Sequence, residues 1–204
     1  MDLDLYHSIN DYAYDHHWFE VVFKFFATGG EPLLLAFLVL LWLPVGRWRV
    51  PDGRHAVVAA GFSAALGLLA NQVISHLYER TRPYVHHAHH LFIARSSDPS
   101  FPSDHATGGF AIAMAILLRN RLAGLVALVV AVLMSVGRVA VGTHYPGDVL
   151  GGAAIGVAAA LILFLPPPRR ALDALADFAS RLYERIVAAI LRQPAIGPSS
   201  GARP

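Results

Sequence analysis

The 204-residue chain is 55% hydrophobic and only 15% charged, against about 25% charged in an ordinary globular domain. A formal charge of +2 excludes a nucleic-acid-binding surface built on net charge. The absence of cysteine excludes a disulfide framework, a thiolate metal site and a cysteine nucleophile. Long uncharged stretches alternate with short basic ones, the pattern of a multi-span membrane protein.

The opening residues, MDLDLYHSINDYAYDHHW, are acidic and polar and lack the basic start and apolar core of a cleaved signal peptide. Five segments then approach the roughly 20 apolar residues that a membrane crossing needs. The first runs from Trp18 to Val45, with Glu20 and Lys24 spaced to pair on one helix face and Gly29-Gly30 placed to bend it. As one helix it would be about 42 Å long, so one end protrudes or tilts. The second covers Ala56 to Tyr78 and ends in polar residues. The third runs from Ser103 to Leu118, the fourth from Leu122 to Gly137, and the fifth from Val149 to Leu165. In the fifth, Gly152 and Gly156 form a small-xxx-small pair suited to close helix packing. The expectation is an all-α, polytopic transmembrane helix bundle of about five to six spans.

Orientation follows from the basic residues. Arg47, Arg49 and Arg54, then Arg119 and Arg121, then Arg169 and Arg170 fall on one side if the spans alternate, and that side is expected to be cytoplasmic. Residues 1–166 form the expected transmembrane domain. Residues 167–193 form an amphipathic helix with Leu172, Leu175, Phe178, Leu182, Ile186 and Ile190 on one face. Two readings of it stand: a helix on the inner membrane surface, or one that packs against a partner. The tail, 194–204, is Pro/Gly/Ser-rich and is expected to be disordered.

Ionisable residues gather on the opposite side in three clusters. YERTRPY ends the second span, FPSDHA starts the third, and GRVAVGTHYPGD joins the fourth to the fifth. Each cluster has a purely structural reading: a helix stop before Pro83, an N-cap at Ser103, and a first-turn acid at Asp148. Taken together they supply more. Arg82 and Arg138 offer forked donors for phosphate oxygens, and Ser103 and the helix start behind it add hydroxyl and N–H donors. His144 precedes Asp148 by four residues, so the carboxylate can hold one ring nitrogen and leave the other as nucleophile or base. His105 is free to act as an acid. These are the parts for phosphoryl transfer without a metal.

The clusters resemble the three signature motifs of the type 2 phosphatidic acid phosphatase family, whose helical core is shared with acid phosphatases and vanadium haloperoxidases. Lys-x6-Arg-Pro maps onto Ser75 through Arg82-Pro83. Pro-Ser-Gly-His maps onto Pro102 to His105. Ser-Arg-x5-His-x3-Asp maps onto Gly137-Arg138, His144 and Asp148. Three positions depart: Ser75 for Lys, Asp104 for Gly and Gly137 for Ser. Arg80 is the candidate to supply the missing cation, and Asp104 reads as a helix cap or a residue that tunes His105.

The Arg-x-Arg-Pro ending and FPSDH resemble the bacitracin-resistance type of undecaprenyl pyrophosphate phosphatase. The resemblance implies that His144 attacks the terminal phosphorus and that Asp148 orients it. His105 would protonate the leaving lipid phosphate and then activate water, while Arg82, Arg138 and Ser103 hold the phosphoryl oxygens. It implies a multi-pass protein of the bacterial inner (plasma) membrane with its site facing the periplasm. The substrate would be a polyprenyl or phospholipid phosphate drawn from the bilayer, with no nucleic acid involved and no cofactor required. The rivals are a phosphatidylglycerol phosphate or phosphatidic acid phosphatase, a small transporter, and a vanadate-dependent peroxidase on the same core. Segment 84–99 carries four histidines and reads as a solvated lid over the site, with divalent-ion binding as the alternative.

Overall fold

In the computed structural model, residues 1–43, 52–86 and 90–191 are described; they form eight helices and, among themselves, no strand. These are α1 (Asp2–Asp15), α2 (His17–Trp42), α3 (Gly53–Leu77), α4 (Pro83–His86), α5 (Asp104–Leu117), α6 (Arg121–Ala140), α7 (Pro146–Leu163) and α8 (Pro166–Leu191). Four of them, α2, α3, α6 and α7, are long and apolar enough to cross a membrane.

The expected third span is shorter than a crossing. At 14 residues, α5 is about 21 Å long, against a hydrocarbon core of about 30 Å. It is instead the central helix, packed against α3, α6 and α7. Its Ala106, Ala111, Ala113, Ala115 and Ile116 are all almost fully buried. The interior is built largely from small residues, with Ala56, Ala60, Ala127, Ala131 and Ala160 joining those of α5. Large apolar side chains point outward instead, among them Phe25, Leu40, Leu69, Val129 and Leu150. A soluble protein would bury these residues. In lipid the preference inverts, because hydrocarbon solvates leucine as well as a core does and helix association relies on close backbone approach.

Gly152 and Gly156 make that approach. A Cβ on Gly156 would lie 2.3 Å from the carbonyl oxygen of Thr107, and one on Gly152 would lie 2.5 Å from that of Ser103. Helix α2 runs through Gly29-Gly30 and Pro32 without a break. Glu20 and Lys24 pair across one turn at 3.8 Å.

Helix α8 starts at Pro166 and is amphipathic as expected. It is pinned at the end of the bundle that holds the start of α3 and the α5–α6 turn. Arg54 reaches Glu184 at 2.9 Å, His55 reaches Asp177 at 3.1 Å, and Arg119 pairs with Asp173. Leu172 and Ala176 are buried against the bundle, whereas Leu175, Phe178, Leu182, Ile186 and Ile190 remain uncovered. The apolar face is therefore divided: one edge packs and the rest is open. Arg54, Arg119 and Arg169 lie at this shared end, because α5, though short, also runs from one end of the bundle toward the other; Arg47, Arg49 and the tail 194–204 lie outside the described residues. At the other end α1 buries Tyr6, Asn10 and Ala13.

Overpacking at a backbone contact costs about 1–3 kcal/mol. Gly156→Ala is therefore expected to lower the thermal midpoint of the detergent-solubilised protein by several degrees. Gly61→Ala, where a Cβ meets nothing within 4 Å, is expected to leave the midpoint unchanged or slightly raised.

Candidate active site

Alternation of the helices brings the end of α3, the start of α5, the end of α6 and the start of α7 to the α1 end of the bundle. Arg138 belongs to the last turn of α6 rather than to a loop. Gly137, where the motif has serine, is packed against α2: a Cβ there would lie 2.6 Å from the carbonyl oxygen of Phe23. That close crossing accounts for the departure. The chain then reverses at Gly142, whose φ of 86° is a left-handed conformation that favours glycine. The reversal returns His144 beneath Arg138, with the Thr143 and His144 amides both bonded to the Arg138 carbonyl. Pro146 opens α7, and Asp148 accepts the amide of Tyr145 at 2.8 Å as the acid of a capping box.

His144 is 2% exposed and is fixed on both sides of its ring. Its Nδ1 lies 2.8 Å from the carbonyl oxygen of Ser100. A carbonyl can only accept, so Nδ1 carries the proton and Nε2 presents its lone pair. Nε2 lies 3.2 Å from Nη1 of Arg82. The expected direct contact with Asp148 is not made as a hydrogen bond: Nδ1 and Oδ2 are 3.7 Å apart, beyond hydrogen-bond range. Asp148 acts through Ser100 instead, accepting that residue's hydroxyl at 2.5 Å. Ser100 is thus a site residue that the sequence pattern did not reveal, since its critical atom is a backbone carbonyl that any residue would supply. Burial pushes the His144 pKa down to about 4, and the neighbouring Arg138 and Arg82 charges act in the same direction against the pull of Asp148.

Among the described residues Arg82 bonds only to the carbonyls of Asp98 and Thr143 and to His144, and Arg138 reaches the Ala27 carbonyl at 3.4 Å. Arg54, Arg80, Arg119 and Arg169 each reach a carboxylate. The two buried arginines reach none among the described residues. Nε of Arg138 and Oγ of Ser103 are buried without a hydrogen-bond partner among the described residues. Ser103 occupies the N-cap position of α5, yet its side chain makes no capping bond. Buried donors are seldom left open in a folded protein, so this pair marks a place where an acceptor belongs.

His105 lies close enough to Arg138 and Arg82 to sense both charges, with His144 nearby. Its Nε2 is 3.8 Å from Glu31 of α2, a second residue the sequence reading passed over. Asp104 accepts from Asn71 Nδ2 at 2.5 Å, so α3 holds it in place. Ser75, at the motif's lysine position, bonds the carbonyl of Gln72 and brings no charge.

Arg80, the candidate to supply that missing cation, pairs with two carboxylates: its terminal nitrogens reach Asp148 at 2.7 Å and Asp2 at 2.6 Å.

The histidine-rich segment is tied down in its described parts. Phe92 donates to the Val141 carbonyl, His90 exchanges bonds with the Asn10 side chain, and Tyr84 bonds Ser96. Among the described residues no group of three or more His, Asp or Glu side chains could hold a metal ion; residues 87–89 lie outside them.

A family model described as the PAP2 superfamily matches residues 56–171, which span all three motifs. Undecaprenyl-diphosphatase BcrC of Bacillus subtilis is 30% identical over 197 residues, covering 95% of this chain and 97% of the relative. Decaprenylphosphoryl-5-phosphoribose phosphatase of Mycobacterium tuberculosis is 35% identical over 130 residues, covering 63% of this chain and 70% of the relative. The crystal structure of LpxE from Aquifex aeolicus superposes with a TM-score of 0.66 at 24% identity, covering 78% of this chain and 92% of that one. With its four apolar spanning helices, the chain is a multi-pass membrane protein.

The imidazole of His144 is expected to remain neutral, protonated on Nδ1, down to about pH 4. Nitrogen chemical shifts of histidine-labelled protein in detergent check this, and a midpoint near the ordinary value of about 6.5 would contradict it.

Proposed function

Because the chain belongs to the PAP2 superfamily, we propose that it removes the terminal phosphate of undecaprenyl pyrophosphate, giving undecaprenyl phosphate at the outer face of the bacterial plasma membrane. The observation that carries this reading is the pair of buried arginines that reach no carboxylate among the described residues, one of them on the Nε2 lone pair of His144, together with the open Ser103 hydroxyl. Those donors suit the equatorial oxygens of a transferring phosphoryl group, where preorganised positive charge lowers the barrier most.

A groove of about 490 Å³ supports an amphiphilic substrate. Leu34, Leu35, Leu68, Ile112 and Met134 line it, and His105 stands at its polar end. A polyprenyl tail fits that lining while its head reaches the donors. The similarity to BcrC along nearly the whole chain favours the undecaprenyl chain over a glycerolipid. The basic residues gathered at the α8 end, opposite the site, support an outward-facing site. The uncovered stripe of α8 then rests on the inner leaflet.

In the first step Nε2 of His144 attacks the terminal phosphorus. The bond to the bridging oxygen breaks, and that oxygen leaves as undecaprenyl phosphate, taking a proton from His105. In the second step water gives its proton back to His105 and attacks the phosphorus. The N–P bond breaks, and inorganic phosphate leaves with His144 restored. Arg82, Arg138 and Ser103 hold the three phosphoryl oxygens through both steps.

A lipid panel tests the reading. The wild-type protein is expected to release phosphate from undecaprenyl pyrophosphate much faster than from phosphatidylglycerol phosphate or phosphatidic acid. It is also expected to accumulate an acid-labile phosphohistidine when quenched. His144→Ala should fold and lose about 10³-fold or more in kcat; a smaller loss removes the nucleophile assignment. Ser103→Ala should lose about 10²-fold, the usual consequence of deleting one oxyanion donor.

A further inference from the structure

The sequence motifs account for the groups in front of His144. They do not account for what stands behind it. Asp2, in the first turn of α1, accepts from Nη2 of Arg80 at 2.6 Å through Oδ2 and from the Gly147 amide at 2.8 Å through Oδ1. Nη1 of Arg80 donates to Oδ1 of Asp148 at 2.7 Å. Oδ2 of Asp148 accepts from the Ser100 hydroxyl and the Tyr145 amide, and the Ser100 carbonyl takes the Nδ1 proton of His144. Arg80 also accepts the Ser100 amide on its own carbonyl at 2.7 Å. Five residues from four parts of the chain thus form one unbroken line from the surface helix to the nucleophile.

We infer that Asp2 is a positioning residue for the reaction, setting the orientation and charge balance of His144 through Arg80, Asp148 and Ser100. The inference rests on His144 being the nucleophile, as proposed above. Its physical content is a charge count. Asp148 is fully buried, and Arg80 is its cationic partner whatever the state of His144. Arg80 alone would cancel that carboxylate and leave nothing to offset the positive imidazolium that forms when Nε2 bonds to phosphorus. Asp2 restores one net negative charge to the line. It also holds Arg80 from the far side, so that the guanidinium, lying 4.0 Å over the Tyr145 ring, keeps Nη1 on Asp148. The Asp2 bond to the Gly147 amide anchors the same carboxylate to the first turn of α7, which carries Asp148.

Helix α1 is built to deliver this carboxylate. Tyr6 is fully buried and meets the Tyr145 ring edge-on at 5.6 Å. Asn10 donates to the Ala140 carbonyl at 2.8 Å, fixing the helix to the end of α6. Docking of the amphipathic N-terminal helix and alignment of the nucleophile are therefore one event.

The test compares Asp2→Asn, Asp2→Glu, Arg80→Ala and the double variant Asp2→Asn/Arg80→Ala of the full chain in detergent, with undecaprenyl pyrophosphate as substrate. Asp2→Asn is expected to lower kcat about 10-fold, as loss of an outer partner of a reacting group does, with KM within about 2-fold of wild type. Asp2→Glu should recover part of that rate. The double variant should be no slower than Arg80→Ala alone, because the two changes cut one line. In a single turnover the same loss should appear in the rate of His144 phosphorylation. If Asp2→Asn lowers the thermal midpoint, that single-turnover rate, read well below the midpoint, still reports alignment.

Wild-type kcat in Asp2→Asn overturns the inference, as does a change confined to KM, an additive double variant, or an unchanged phosphorylation rate. Full turnover by His144→Ala would instead overturn the nucleophile reading on which it rests, so the two failures are separable.

Discussion

Asp148 is the point at which the three motif segments are joined. Its carboxylate is fully buried and receives Arg80, the Ser100 hydroxyl and the Tyr145 amide. Its own backbone carbonyl accepts the amide of Ser103 at 3.0 Å. One residue thereby connects the segment after α3, the residues ahead of α5 and the first turn of α7. A buried carboxylate persists only if its lone pairs are met, so each of these segments is held to the others by the requirement that Asp148 be satisfied. His144 inherits its orientation from that arrangement and needs no direct bond to the carboxylate.

The bundle makes this arrangement possible through small residues. Thr107 and Ser103 of the α5 side lie against glycines of α7 at distances where any Cβ would collide with a backbone oxygen. Helix α5 can therefore be short, central and buried, with its start held beside the start of α7. Hydrocarbon gives no advantage to burying leucine, so the interior is free to be alanine and glycine and the helix axes to approach. A site assembled from four helix ends depends on such an interior, because a shift of about 1 Å at a reacting group is enough to slow catalysis about 100-fold.

Much of this was legible in the sequence. Uncharged runs disclosed α2, α3, α6 and α7 within a few residues, and the clusters that hold His144, His105, Arg82, Arg138 and Ser103 stood out because charged groups are few in so apolar a chain. The length of α5 was not, since its small residues are as apolar as a spanning helix and only packing shows that it is enclosed. Arg80 was assigned to the substrate because an arginine near a phosphate site reads as a phosphate ligand. Its two carboxylates lie 68 and 78 positions away, and no periodicity links them. Ser100 and Asp2 escaped for related reasons: one contributes through a backbone atom, the other from a helix whose own pattern concerns only its docking. Gly137 read as a departure from the motif, and the backbone of α2 explains it.

The site has a front and a rear of opposite charge. In front, Arg82 and Arg138 stand without an ion-paired carboxylate among the described residues, and Nε of Arg138 is unpartnered there; behind, Asp2, Arg80 and Asp148 carry one net negative charge. The imidazole of His144 lies across that boundary, Nδ1 toward the negative side and Nε2 toward the positive. Before substrate binds, burial holds the ring neutral and the front cations add to it, which preserves the lone pair. In the proposed reaction the negative charge of an entering phosphate neutralises them, and their part of the obstacle to a positive ring falls away. The rear charge then favours the imidazolium as the N–P bond forms. On that proposal the incoming substrate supplies part of the electrostatic change that phosphorylation of His144 requires. That exchange works only where water is scarce, since a high dielectric would screen both ends. A short buried helix beginning at the site, within a bundle that turns its large side chains to lipid, provides that dryness.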